Sequence, residues 1–250
     1  MKRTVMFLCL SLLFLLGCTK IFTQVDNTNE YDAIPLEHGF ITFKDNGSAS
    51  GRYFRKLPRK AFIMGEYHIV KTARTNSKIR VGGGSRSKVS GSYEFYRGDT
   101  RLGWFDVSSI TLGISPIGGL TIGVKNERVI HIKNERGETT DWIEMGVPAR
   151  GAYTFIKHKD NDLGDVVVKT YFKNTTNMKE DAFGAPVTGL TIKINDEEYG
   201  ILALLPKPVL HKKHSFNKSL EETHGDKIIF YVLMALEAFF KDEEAMRSGV

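Results

Sequence analysis

The sequence predicts a mainly β protein: an antiparallel sheet or barrel of about ten to twelve strands with a buried hydrophobic C-terminal helix. Three observations predict it. Short runs rich in Val, Ile, Phe, Tyr and Thr recur from Ala61 to Leu205, separated by turn residues. Most of the links between them are short, which favours antiparallel neighbours. Then, between Ile228 and Phe240, twelve of thirteen residues are apolar, the exception being Glu237. A surface helix shows one apolar stripe, whereas this one is apolar nearly all round and needs protein on most sides. The alternative architecture is a β-sandwich with the helix packed on one face.

The chain opens with Lys2 and Arg3, followed by an almost wholly apolar stretch from Val5 to Leu16. That is the length of a secretory hydrophobic region and short of the roughly 20 residues of a spanning helix. It ends on Leu15-Leu16-Gly17-Cys18. This ending resembles the lipobox of bacterial lipoprotein precursors. The resemblance implies cleavage before Cys18, a lipidated Cys18 carrying diacylglycerol and a further acyl chain such as palmitate, and a place in the bacterial cell envelope. Thr19 rather than Asp at the next position implies the outer membrane. Two or more buried acyl chains give stable anchoring where one does not. The chain has two cysteines, Cys9 and Cys18. Cys9 would leave with residues 1–17 and Cys18 would be acylated, so the exported domain should hold itself by burial alone.

Residues 18–37 read as lipidated Cys18 and a polar, acidic tether. At ~3.3–3.6 Å per residue it could hold a domain several tens of ångströms from the bilayer. Residues 38–250 form a single β-rich domain. Its expected strands include Ala61–Val70, Ser92–Tyr96, Leu102–Val107, Arg128–Lys133, Ala152–His158, Val166–Phe172 and Tyr199–Leu205. Arg97-Gly98-Asp99 and Asn195-Asp196-Glu197-Glu198 have turn chemistry, and Gly82-Gly83-Gly84 suits a hairpin loop. The helix is expected at about 226–245, with Asp226 as N-cap. At 1.5 Å per residue its apolar core is roughly 20 Å long, too short to cross a bilayer. Many antiparallel strands followed by a hydrophobic helix resemble the tubby, LURP-one and scramblase-like barrel, which implies a helix threaded through a ring of strands.

Catalytic templates are missing. Gly83-Gly84-Ser85-Arg86-Ser87 lacks the last glycine of a nucleophile elbow, and no P-loop, zinc-protease helix or paired cysteines occur. Neither enzyme activity nor a cofactor is expected. His211 and His214 flank two lysines in an extended segment, which places them on opposite faces of a strand and argues against a metal site. Trp104 and Trp142 are expected in the core or on a barrel face.

Charge is distributed unevenly. The chain carries +6 overall. Between Asn46 and Tyr93 lie Arg52, Arg55, Lys56, Arg59, Lys60, Lys71, Arg74, Lys78, Arg80, Arg86 and Lys88 against one acid, Glu66. Loss of Lys2 and Arg3 would leave a basic third and a slightly acidic remainder. Such a region can bind an anionic lipid, glycan or other polyanion. The envelope location argues against nucleic acid. The expected function is a non-enzymatic, membrane-anchored binding module for an anionic envelope or host ligand. The alternative is a structural or assembly partner of another envelope protein.

Overall fold

The computed structural model describes residues 25–41, 59–81, 84–117, 120–134, 136–146, 152–171, 187–205 and 207–248. Cys18, Arg52, Arg55 and Lys56 lie outside the described residues, as do Gly82 and Gly83. Among the described residues, thirteen strands form two antiparallel sheets. The seven-stranded sheet runs β2 (Glu37–Ile41), β3 (Arg59–Met64), β4 (Tyr67–Val81), β5 (Gly84–Arg97), β6 (Thr100–Ile117), β7 (Leu120–Lys133) and β8 (Thr139–Glu144) in simple sequence order. The six-stranded sheet is ordered β1 (Tyr31–Pro35), β13 (Val209–Lys213), β12 (Glu197–Ala203), β11 (Gly189–Ile194), β10 (Gly164–Tyr171) and β9 (Thr154–Asp160). One helix, α1 (Lys218–Ser248), follows.

The mainly β class and the buried helix agree with the sequence, but the helix is not laid on one face of a sandwich. It lies between the two sheets. Phe230 meets Phe95 of β5 and Phe105 of β6 edge-on, with centroids 5.5 and 5.8 Å apart. Phe239 meets Phe155 of β9 at 5.7 Å, and Tyr231 donates to Asp160 at the end of β9. Every residue from Ile228 to Leu236 is buried. Large side chains from both sheets, among them Ile69, Phe105, Phe155 and Leu190, share that core. Burying such side chains contributes about 1.5–3 kcal/mol each.

The sheets meet at two seams rather than forming one continuously bonded barrel. At the first, β1 runs into β2 with Leu36 alone between them. Leu36 is buried and donates its backbone N–H to Pro208. At the second, β8 and β9 are joined by the isolated bridge Met145–Ile156, with Gly146 N–H donating to Phe155. A Cβ on Gly146 would lie 1.9 Å from the Thr154 carbonyl oxygen. This close approach is why the seam carries a glycine.

Three expected boundaries are corrected. The tether was expected to reach residue 37, but the chain joins the six-stranded sheet at Tyr31, where β1 pairs with β13. The expected strand Ala61–Val70 is two strands, β3 and β4, turning at Gly65 with φ 61°. The expected helix at about 226–245 is the long arm of α1, and a shorter arm from Lys218, not expected, precedes it across a break at His224. Asn217 accepts from the Leu220 N–H at 3.1 Å, as an N-cap does, and the helix bends at His224, where φ and ψ leave the helical range. Asp226 instead accepts from Tyr67 at 2.7 Å and Arg97 at 3.3 Å.

Glu237 stands inside the helix's apolar run. Burial pushes its carboxyl up to about 7, opposed by the charge of Lys71, a hydrogen bond donated by Tyr93 and the charge of Lys241.

Candidate functional site

The expected anion-binding residues fall mainly on one hairpin. Lys71, Arg74, Lys78 and Arg80 lie on β4, and Arg86 and Lys88 on β5. From Tyr67 to Tyr93 the sequence has six Lys and Arg and no acid. The register pairs Lys71, Arg74, Lys78 and Arg80 with Tyr93, Gly91, Ser87 and Ser85, which are alternate positions of β5. Arg86 and Lys88 occupy the intervening positions of β5, opposite Ile79 and Ser77. The basic residues therefore occur in both alternations of the hairpin. Arg59 and Lys60 open β3, just past the Ala61–Val70 pair. Beyond Asn76, the position opposite buried Val89, β4 continues to Val81. At ~3.3 Å per residue that adds roughly 17 Å of strand.

A second candidate lies at the N-terminal end of the helix's apolar run and was not anticipated. Two hollows adjoin there and share Ile132, Lys227 and Phe230. One, of about 350 Å3, has an apolar floor that includes Phe95, Leu102, Gly103 and Phe230. The other, of about 210 Å3, adds Thr140, Asp141, Asp160, Asn161 and Tyr231.

Asp160 organises the polar half. Its Oδ1 is 2.8 Å from Lys227 Nζ and accepts from the backbone N–H groups of Asp162 (2.8 Å) and Leu163 (3.0 Å), holding the β9–β10 turn. Its Oδ2 accepts from the Tyr231 hydroxyl at 2.9 Å. Burial alone would raise the Asp160 pKa. The hydrogen bonds from Lys227, the two backbone groups and Tyr231 outweigh it and hold the carboxyl at about 2. Burial disfavours the Lys227 charge, but Asp160 and Asp162 (2.6 Å) outweigh that and raise its pKa. Burial and the neighbouring Asp160 push the Tyr231 phenol well above its ordinary value. Beside them, Asp141 Oδ2 lies 3.1 Å from His158 Nε2.

The cations here are already matched. Lys133 lies 2.5 Å from Asp106, and Arg97 binds both Glu66 and Asp226. Counting the walls and their direct partners, Asp106, Asp141, Asp160, Asp162 and Asp226 face Arg97, Lys133 and Lys227. The hollow is electronegative, the opposite of the β4–β5 hairpin.

Asp160 and Lys227 are 67 residues apart, and Asp160 and Tyr231 are 71 apart. No local spacing marks such a group. The only hint in the sequence was an Asp-Lys pair at the head of the apolar helix.

Other expectations resolve simply. Arg97-Gly98-Asp99 forms the β5–β6 turn, with Gly98 at φ 56°. His211 and His214 gather no metal set, and no group of three or more His, Cys, Asp or Glu side chains suited to a metal occurs among the described residues. Instead His214 bonds Asp32 at 3.0 Å. Trp142, expected in the core or on a barrel face, is 58% exposed. It alternates with buried Ile143 and points to solvent. Trp104 is half-buried under Arg101 and Lys133, and its indole donates to the Asn134 carbonyl. Among the described residues no helix is long and apolar enough to cross a membrane.

No family model matches this sequence, no curated protein is significantly similar to it, and no solved structure is significantly similar to its fold.

Proposed function

We propose that this protein is a lipid-anchored, non-enzymatic envelope module that engages an anionic surface through its β4–β5 hairpin. The observation that carries the reading is the run of basic residues Arg74, Lys78, Arg80, Arg86 and Lys88, with no acid among them, along the hairpin. Cys18 supplies the anchor, and the segment before Tyr31 the reach. The polyanion nearest to an anchored protein is the membrane itself. Each Lys or Arg close to such a surface contributes ~1 kcal/mol, a term that salt screens.

The test uses the chain from Thr19 onward, with neutral and anionic vesicles across a salt series. One variant changes Lys78, Arg80, Arg86 and Lys88 to Glu, and a second changes Arg52, Arg55, Lys56, Arg59 and Lys60 to Glu. Binding should be confined to anionic vesicles and weaken with salt. The hairpin variant should lose at least a hundredfold in affinity, in line with ~1 kcal/mol per removed charge. Equal binding by the hairpin variant and the parent would remove the hairpin from the function.

A further inference from the structure

We propose that the paired hollow at the N-terminal end of the helix's apolar run binds a small amphipathic cation, an aromatic group joined by a short linker to a protonated amine. The inference is independent of the hairpin's basic residues, which are other positions of β4 and β5 than Phe95 and carry the opposite charge.

The larger hollow is lined by Phe95, Leu102, Ile132 and the ring of Phe230. At about 350 Å3 it falls in the size range of ligand pockets, which are mostly apolar with a few placed polar groups. Leu102 is 41% exposed, so apolar surface stands open at its mouth. An aromatic ring seated there lies against Leu102, Ile132 and the ring of Phe230.

The adjoining polar hollow selects the charge. Lys227 is already held by two aspartates at 2.8 and 2.6 Å, and Lys133 by a third at 2.5 Å. An incoming anion finds every cation of the wall engaged and meets carboxylates instead. Among the carboxylates, Asp160 and Asp226 are also engaged, and Asp141 is the wall carboxylate open to an ammonium. Asp141 is half exposed and takes only imidazole and backbone donors, from His158 and the Trp142 N–H. Asp162 does not line the hollow but sits behind Lys227 at 2.6 Å and adds its negative charge from there. Charge-assisted hydrogen bonds from an ammonium to a carboxylate such as Asp141 are the strong kind. The ligand therefore spans the shared wall of Ile132, Lys227 and Phe230, ring on one side and amine on the other.

Gly103 offers a clean way to close the apolar half. A Cβ there would lie 3.6 Å from the Phe230 ring, an ordinary contact with no backbone atom within 4 Å, so a side chain can start from this wall of the hollow. The experiment is calorimetric titration of the complete chain with Cys18→Ser in neutral nanodiscs, with empty nanodiscs as blank. The probes are 2-phenylethylammonium, 2-phenylethanol and 3-phenylpropanoate. The ammonium should bind at least tenfold more tightly than the alcohol, and the carboxylate least of all. Gly103→Leu should weaken the ammonium tenfold or more with an unchanged melting temperature. Asp141→Asn with Asp162→Asn should reduce the preference over the alcohol to threefold or less while leaving alcohol binding intact. Equal affinity for all three probes, no binding of the ammonium at millimolar concentration, or undiminished binding by a folded Gly103→Leu variant would each overturn the proposal.

Discussion

Glu237 is the residue where the helix's burial has a measurable consequence. A carboxyl is raised when desolvation of its charged form outweighs favourable neighbours, and here burial prevails over Lys71, Tyr93 and Lys241 to give about 7. The unfolded chain titrates near 4.3. The folded state therefore keeps its proton through a window in which the unfolded state has lost it. Stability is fullest below about pH 4, falls as pH rises toward 7, and is level above. Glu237→Gln removes the charge with little change in shape. It should leave stability nearly unchanged at pH 4 and raise it by about 2 kcal/mol at pH 8. Urea unfolding at the two pH values measures this, and equal stability of variant and parent at pH 8 would mean the carboxylate is well solvated or paired. The sequence already marked Glu237 as the lone polar residue of its run. It gave no such mark to Asp160, because that residue's partners come from a β-turn and a helix 67 and more residues away.

At the scale of elements, the seams decide whether two sheets can enclose one helix. The β8–β9 seam rests on the Met145–Ile156 bridge, the backbone contact at Gly146 and the Asp141–His158 pair. A methyl group on Gly146 would press into the Thr154 carbonyl. Gly146→Ala should cost about 1–3 kcal/mol, the usual range for forcing atoms into a closed space. The loss should appear first as faster hydrogen exchange of the Gly146 and Met145 amides, before global unfolding. A variant as stable as the parent would show that the seam can slide. The strands themselves were legible because alternation and turn residues are local. The helix start was less so. The apolar run announces itself, but the preceding turn from Lys218 to Thr223 is polar and is specified by the Asn217 cap and a Lys212–Glu221 ion pair across to β13. The hairpin turn at Gly65 was hidden because Phe62, Met64 and Ile69 read as one apolar stretch.

On the whole molecule, the helix ties the sheets together while charge separates its ends. Carboxylates of Asp160, Asp162 and Asp226 gather near the N-terminal end of its apolar run, and Lys71 and Lys241 lie beside Glu237 further along. Ion pairs of this kind contribute at most about 1 kcal/mol each near a surface. Packing is the larger effect. Phe230, Phe239 and Phe240 reach strands β5, β6, β9 and β3, so the helix supplies the shared core of both sheets. Neither sheet has another apolar layer among the described residues to replace it. A two-sided core that loses its centre exposes a continuous apolar face on each sheet, which isolated sheets do not survive in water. Ending the chain at Phe216 should therefore abolish cooperative unfolding. The near-ultraviolet circular dichroism of the buried aromatics should disappear, and a dye for exposed apolar surface should bind. A synthetic peptide of residues 217–248 should restore the aromatic signal when added to the truncated chain, and Phe230→Asp in that peptide should prevent it. If the truncated chain instead melts cooperatively at a temperature close to the parent's, the sheets pack on each other and the helix is an accessory to a fold that stands without it.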